Sequence, residues 1–233
     1  MKKAVLDART RKTASQVAYQ IFPERFAIGG GLCSAEKLRS PAYDGAHVVK
    51  HDWNDAEFVR PSGRHFCGGD LDGIVERLNY LADLGVTNLY LTPVFCAPSN
   101  HKYDATDFFN VDPMFGGNDA LQRLISALHA RGMELTLDAV LNHVSDRHPW
   151  FVAARSADAD KTGWFTLRED GSYDCWQGHH TLPELNLSCD AVRDVMYRKP
   201  DSLVQHWLAK GIDSWRFDVA QDVGIPVAQE MRS

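Results

Sequence analysis

The sequence contains no CxxC pair, no run of lysine and arginine, and no apolar stretch of membrane-spanning length. Each absence removes a class of function. Five cysteines, Cys33, Cys67, Cys96, Cys175 and Cys189, are odd in number and widely spaced, which suggests neither a zinc site nor a disulfide framework. A net charge of −6 without a basic patch argues against nucleic acid or an anionic membrane as the main partner. A transmembrane helix needs about 18 or more apolar residues in a row, and none occurs. The opening "MKKAVLDARTRKTASQ" has lysines but no apolar stretch behind them, so it does not read as a secretory signal, and the cytoplasm is the expected compartment. Nucleotide fingerprints are missing too. "IGGGL" (28–32) and "GGD" (68–70) lack the G-x-G-x-x-G spacing and read as turns, and no Walker-type motif exists.

What is present is an ordinary globular composition, 44% hydrophobic and 24% charged, carrying a repeated pattern. Three segments run amphipathic helix, glycine, strand: "LDGIVERLNYLADLGVTNLYLTPV", "ALQRLISALHARGMELTLDAV" and "SLVQHWLAKGIDSWRFDV". Leu71, Ile74, Leu78 and Leu81 recur at helical spacing in the first, and Leu121, Leu124, Ile125 and Leu128 in the second. Gly85, Gly132 and Gly211 stand where a helix ends on a residue of positive φ. A further strand, "QVAYQIF" (16–22), precedes the first helix. Helix-to-strand links are short and strand-to-helix links long, which places a ligand site at the carboxyl ends of parallel strands. The expected fold is α/β, a (β/α)8 TIM-type barrel represented by about its first four βα units. An N-terminal tail (1–16) precedes a partial catalytic barrel (17–233), and the chain after Asp218 is too short for another unit. Two open sheet edges, at "VAYQIF" and "DSWRFDV", lead to an expectation of self-association.

"GIDSWRFDVAQD" (211–222) carries the chemistry. Residues two apart on a strand face the same way, so Arg216 and Asp218 share a side. A guanidinium beside a carboxylate favours its ionised form. Spacing alone describes a reactive carboxylate and a structural Arg–Asp pair equally well.

Four stretches together, in order, resemble the alpha-amylase family of glycoside hydrolases: "SNHKYDATDF" (99–108), "DAVLNH" (138–143), "LPELN" (182–186) and "GIDSWRFDVAQD". "AYQIFPERF" (18–26), "GGDLDGI" (68–74) and the "LTPVF" to "HKYD" stretch look most like its cyclomaltodextrinase, neopullulanase and maltodextrin glucosidase group. The resemblance implies a retaining glycosidase acting on α-glucosidic bonds of maltodextrins, cyclodextrins or related α-glucans. It implies Asp218 as nucleophile, with Arg216 beside it, and His101, Tyr103 and His143 as sugar-binding residues. Asp138 would brace the site, and residues 143–186 would form a short inserted region like domain B of the family. Trp150, Trp164 and Trp176 in that region read equally as outer sugar subsites or as its own core. The family's general acid, a glutamate on a fifth strand, has no counterpart here, and Glu230 stands in no matching context. No organic cofactor is implied. Calcium, which many relatives bind through an Asn/Asp-rich loop, is not expected from "AIGGGLCSAEK" (27–37), although Asn142 matches a calcium ligand in some of them. Two other readings remain. The chain could bind glucan without cleaving it, or His101, Asp104, Asp138 and His143 could be ligands of a metal-dependent barrel hydrolase.

Overall fold

The computed structural model describes residues 14–29, 34–48, 62–156, 159–161 and 163–232. Most of the expected N-terminal tail, Cys33 and part of the 28–32 glycine stretch lie outside the described residues.

Four strands, β1 (Ala18–Ile21), β2 (Asn88–Leu91), β3 (Glu134–Ala139) and β4 (Ser214–Phe217), form one sheet in sequence order. All three pairings are parallel. Between the strands run α1 (Leu71–Glu76), α2 (Leu78–Asp83), α3 (Gly117–His129) and α4 (Leu203–Ala209). The arrangement is the opening series of a βα barrel, and β1 and β4 each have one open side among the described residues.

Local chemistry explains the helices. Asp70 caps α1, its carboxylate accepting from the Gly73 N–H at 2.8 Å, and Ser202 caps α4 by accepting from Gln205. The spacing of Leu71, Ile74, Leu78 and Leu81 predicts one helix; the chain forms two, parted at Arg77, with all four residues buried. In α3, Leu121, Leu124, Ile125 and Leu128 are buried along one face. Burying such side chains stabilises by about 1.5–3 kcal/mol each before conformational entropy is counted. Gly85, Gly132 and Gly211 follow their helices with φ of 78°, 69° and 105°, turning the chain into the next strand.

The strands divide their two faces by chemistry. Leu89, Leu91, Leu135, Leu137 and Ala139 belong to the core shared with the helices. The alternate positions are polar and meet across the sheet. Asn88, Thr136 and Ser214 form one level, with Thr136 Oγ1 2.8 Å from Asn88 and 2.6 Å from Ser214. Tyr90, Asp138 and Arg216 form the level above it, toward the carboxyl ends.

Two boundaries differ from the expected ones. β1 is shorter than 16–22, and β3 stops at Ala139, whereas "LTLDAVLNH" (135–143) reads as strand throughout. Past Ala139 the chain leaves the sheet to meet the inserted region: Leu185 donates to the Asn142 carbonyl at 2.8 Å and Val144 to that of Pro183 at 3.1 Å. "LPELN" is thus a clamp on the segment carrying His143. The long link after β2 is not structureless either, since Phe95–Cys96 and Asp107–Val111 pair as an antiparallel hairpin.

Candidate active site

Asp218 is the first residue past β4, anchored where its N–H donates to the Ala139 carbonyl at 3.1 Å. Val219, next in the chain, holds φ 38° and ψ 48°, a left-handed conformation unfavourable for a β-branched residue. The backbone then enters the short helix Ala220–Val223, so the strand-to-helix turn is abrupt and Asp218 stands at its corner. Strain of this kind is held in place by surrounding structure and concentrates at functional sites.

One guanidinium joins two carboxylates there. Arg216 Nη1 donates to Asp218 at 2.7 Å and to both oxygens of Asp138 at 3.1 Å. Asp138 is buried on β3, in register with Arg216. Two phenols complete its shell: Tyr90 donates at 2.5 Å and Tyr103 at 3.1 Å, both to Oδ2. Burial pushes the Asp138 carboxyl above the usual carboxylate range, opposed by the Tyr90 bond and the Arg216 charge. Asp138 thus touches Arg216 and Tyr103 directly.

A cavity of about 350 Å³ opens above this network, a size suited to a small ligand. Asp218, His101, Tyr103, Asp104 and His143 line one side, with Trp176, His179, Thr181 and Leu182 from the inserted region on the other. Arg216 stands behind Asp218. The structure thus brings together all six residues singled out in the sequence: His101, Tyr103, Asp138, His143, Arg216 and Asp218.

The cavity is built to donate and accept hydrogen bonds. His143 is buried with neither ring nitrogen bonded within the protein, and burial holds it down to about 4. A buried polar group without a partner calls for one from water or ligand. His101 is lowered by burial, with Asp104 opposing. Its Nδ1 accepts from the Tyr103 N–H at 3.2 Å, so the neutral ring carries its proton on Nε2. Asp104 is raised by burial, with His101 and Ser99 opposing.

The loop presenting His101 and Tyr103 is fastened by the residue between them. Lys102 is fully buried, with Nζ 2.7 Å from Asp112 and 2.9 Å from the Ala97 carbonyl. Its φ of 62° turns its neighbours toward the cavity while its own side chain points into the core. Of the three tryptophans, Trp176 alone lines the cavity, ring centroid 5.6 Å from His143. Trp150 and Trp164 pack edge to face at 5.1 Å and serve as core.

Tyr90 and the His179–Leu182 wall were not singled out from the sequence. For Tyr90 a signal existed, the alternation in "NLYL" that turns it to the face opposite Leu89 and Leu91. For the wall none did. Glu230 faces elsewhere: its carboxylate meets Arg198 at 2.5 Å and Tyr197 at 2.8 Å, and those bonds lower it, the reverse of what a proton donor needs. The described candidate ligands are engaged by protein groups. Asp138 already has a guanidinium and two phenols, Asn142 donates its amide to Glu184 at 3.3 Å, and no group of three or more His, Cys, Asp or Glu that could hold a metal occurs among the described residues.

A family model described as "Alpha amylase, catalytic domain" matches residues 20–232. The chain is 38% identical over 216 residues to the intracellular maltogenic amylase of Bacillus subtilis (strain 168), covering 90% of this chain and 34% of that protein. It is 36% identical over 226 residues to the cyclomaltodextrinase of Geobacillus thermopakistaniensis (strain MAS1), covering 93% and 35%. Among solved structures, the cyclic alpha-maltosyl-(1→6)-maltose hydrolase from Arthrobacter globiformis superposes with a TM-score of 0.75 at 34% identity, over 94% of this chain and 47% of that one. The chain therefore spans about a third of the length of these curated relatives.

Proposed function

The chain belongs to the alpha-amylase family, and from that premise we propose that it binds α-glucans, maltodextrins or cyclodextrins, and supplies the nucleophile for retaining cleavage of their α-glucosidic bonds. The observation that carries the reading is Asp218, held at the corner of β4 by Arg216, on the same cavity as His101, Tyr103 and His143. In such a reaction a carboxylate oxygen attacks the anomeric carbon while an acid protonates the departing oxygen. Arg216 fixes the carboxylate's angle, and Asp138 fixes Arg216. Tyr103 offers a ring face for stacking on the sugar, and His101 and His143 offer hydrogen bonds to its hydroxyls.

No residue is proposed as the proton donor. Asp104 is the other carboxyl on the cavity, already engaged with His101 and Ser99. A positioned general acid is worth about 10²–10⁴ in rate, so ordinary glucans should turn over poorly in the hands of these residues alone. The proposed chemistry needs no organic cofactor and no metal. A cytoplasmic location is proposed with it, supported by the word "intracellular" in the name of the Bacillus relative; among the described residues no helix is long and apolar enough to cross a membrane. Self-association through the open sides of β1 and β4 is also proposed, and sedimentation showing a stable monomer at all concentrations would rule it out.

The test separates nucleophile from acid. A ring-fluorinated α-glucosyl fluoride has a leaving group that departs without a proton: the Asp218 oxygen bonds to the anomeric carbon, the C–F bond breaks, and fluoride leaves with the electron pair. Mass spectrometry should find one glucosyl adduct on the peptide containing Asp218, absent after Asp218→Asn. Binding of maltotriose without any adduct would favour the non-catalytic glucan-binding reading. Rapid hydrolysis of maltotriose by this chain would show that a proton donor has been overlooked.

A further inference from the structure

We propose that Tyr90, on β2, is a positioning residue of the nucleophile's charge network, setting the state of Asp138 and through it the way Arg216 is divided between Asp138 and Asp218. As a statement about catalysis this rests on the nucleophile reading above; as a statement about Asp138 it stands alone.

The geometry leads there. Within the polar level formed by β2, β3 and β4, the Tyr90 hydroxyl makes the shortest hydrogen bond to Asp138, 2.5 Å to Oδ2. The Tyr90 ring also lies beneath the guanidinium, 5.9 Å from centroid to Arg216 Cζ. Tyr90 thus touches both members of the pair that holds Asp218 without itself lining the cavity. The groups facing Asp138 are Tyr90 from β2, Tyr103 from the following loop, and Arg216 and Asp218 from the end of β4.

Two carboxylates share one guanidinium nitrogen, so the cluster carries more negative than positive charge when both are ionised. Like charge and burial both favour a proton on Asp138; phenol donors and Arg216 oppose it. Once protonated, Asp138 no longer attracts Arg216 as a charge, and the guanidinium is free to swing toward Asp218 and alter its angle of attack. The phenol of Tyr90 guards against this, because a hydrogen bond to the ionised form favours that form. Tyr103 donates as well, but its bond is longer and its ring is exposed to whatever enters the cavity. Tyr90 is the donor that no ligand displaces.

The experiment uses two changes at this position: Tyr90→Phe, which deletes the donor, and difluorotyrosine in place of Tyr90, which keeps the shape and donates more strongly. Aspartate carboxyl carbons are labelled with carbon-13 and titrated by NMR, the Asp138 signal being assigned by its loss in Asp138→Asn. In Tyr90→Phe the Asp138 transition should move to higher pH, so that at the parent's midpoint the ratio of protonated to ionised Asp138 is about ten-fold greater. Difluorotyrosine should move it the other way. The acid limb of Asp218 labelling by the glucosyl fluoride should shift together with the Asp138 transition. A merely structural role would lower labelling evenly across pH and leave the transition where it was. If Tyr90→Phe does not fold, the isosteric difluorotyrosine protein decides the matter. An Asp138 transition unmoved by the substitutions overturns the proposal. If the parent is never labelled, the nucleophile reading fails and the titration still decides the role of Tyr90.

Discussion

Replacing Lys102 with methionine should unfold the protein at markedly lower urea while removing no atom that touches the cavity. The lysine head is fully buried, 2.7 Å from Asp112, which is itself 1% exposed. It also lies over three aromatic rings, 4.9 Å from the centroid of Tyr43, 5.3 Å from Phe66 and 5.5 Å from Phe115. Methionine keeps the length and the apolar stem but leaves the Asp112 carboxylate buried without its cation. Breaking a buried pair in this way costs about 3–5 kcal/mol. The lower end is expected here, because Asp112 keeps donors from the Tyr43 hydroxyl, the Ala97 N–H at 3.1 Å and the Met114 N–H at 2.8 Å. A loss of about 3 kcal/mol is a large part of the ~5–15 kcal/mol typical of a whole domain. The urea midpoint at unchanged slope measures it. A double variant, Lys102→Met with Asp112→Asn, removes the stranded charge and should recover at least ~1 kcal/mol. Because Lys102 sits between His101 and Tyr103, the single variant should also lose affinity for maltotriose, seen as a weaker change in tryptophan fluorescence. A single variant within ~1 kcal/mol of the parent, or a double variant no better than the single, would refute the claim that this pair fastens the loop.

Stability should also fall in mild acid. His143 and His148 are both held down by burial to about 4, against 6.5 for the free side chain. Between those values the unfolded chain binds the protons and the folded chain does not, so stability is full above pH 6.5 and falls as pH drops toward 4, by up to about 3 kcal/mol for each histidine. Burial raises Glu24, Asp104 and Asp138, which act in the opposite sense, so the histidine contribution is read as a difference between parent and His148→Gln profiles. Parallel profiles would contradict it.

Much of this molecule is determined by short-range pattern. Glycine after an amphipathic helix, with a β-rich run behind it, required a parallel α/β sheet, because a right-handed helix needs a left-handed residue to turn back toward the strand. The two-residue period of "SWRFD" put Arg216 and Asp218 on one side before any fold was known. Local pattern also misled where a contact was distant. Val140 and Leu141 are buried and extend the apolar run of β3, yet they belong to a segment clamped by Pro183 and Leu185. Periodicity reports burial and not the partner that supplies it, so sequence alone extends β3 to His143.

Only tertiary structure decided which side chains share a level. Tyr90, Asp138 and Arg216 are far apart in the chain; parallel register sets Asp138 opposite Arg216, and Tyr90, opposite Thr136, reaches Asp138 with its hydroxyl. The alternation in "NLYL" said that Tyr90 points away from Leu89 and Leu91, but register is a non-local quantity and a slip of one residue would have sent it to the helix side. The same holds for the tryptophans, identical in chemistry and different in role: Trp176 is held at the cavity where its backbone N–H donates to the Leu182 carbonyl at 3.0 Å, beside the clamp, while Trp150 and Trp164 find each other. Lys102 makes the point most sharply. A lysine between two polar ring residues reads as a solvated loop, and it becomes the loop's anchor only because Asp112 and the rings of Tyr43, Phe66 and Phe115, distant in the chain, enclose it.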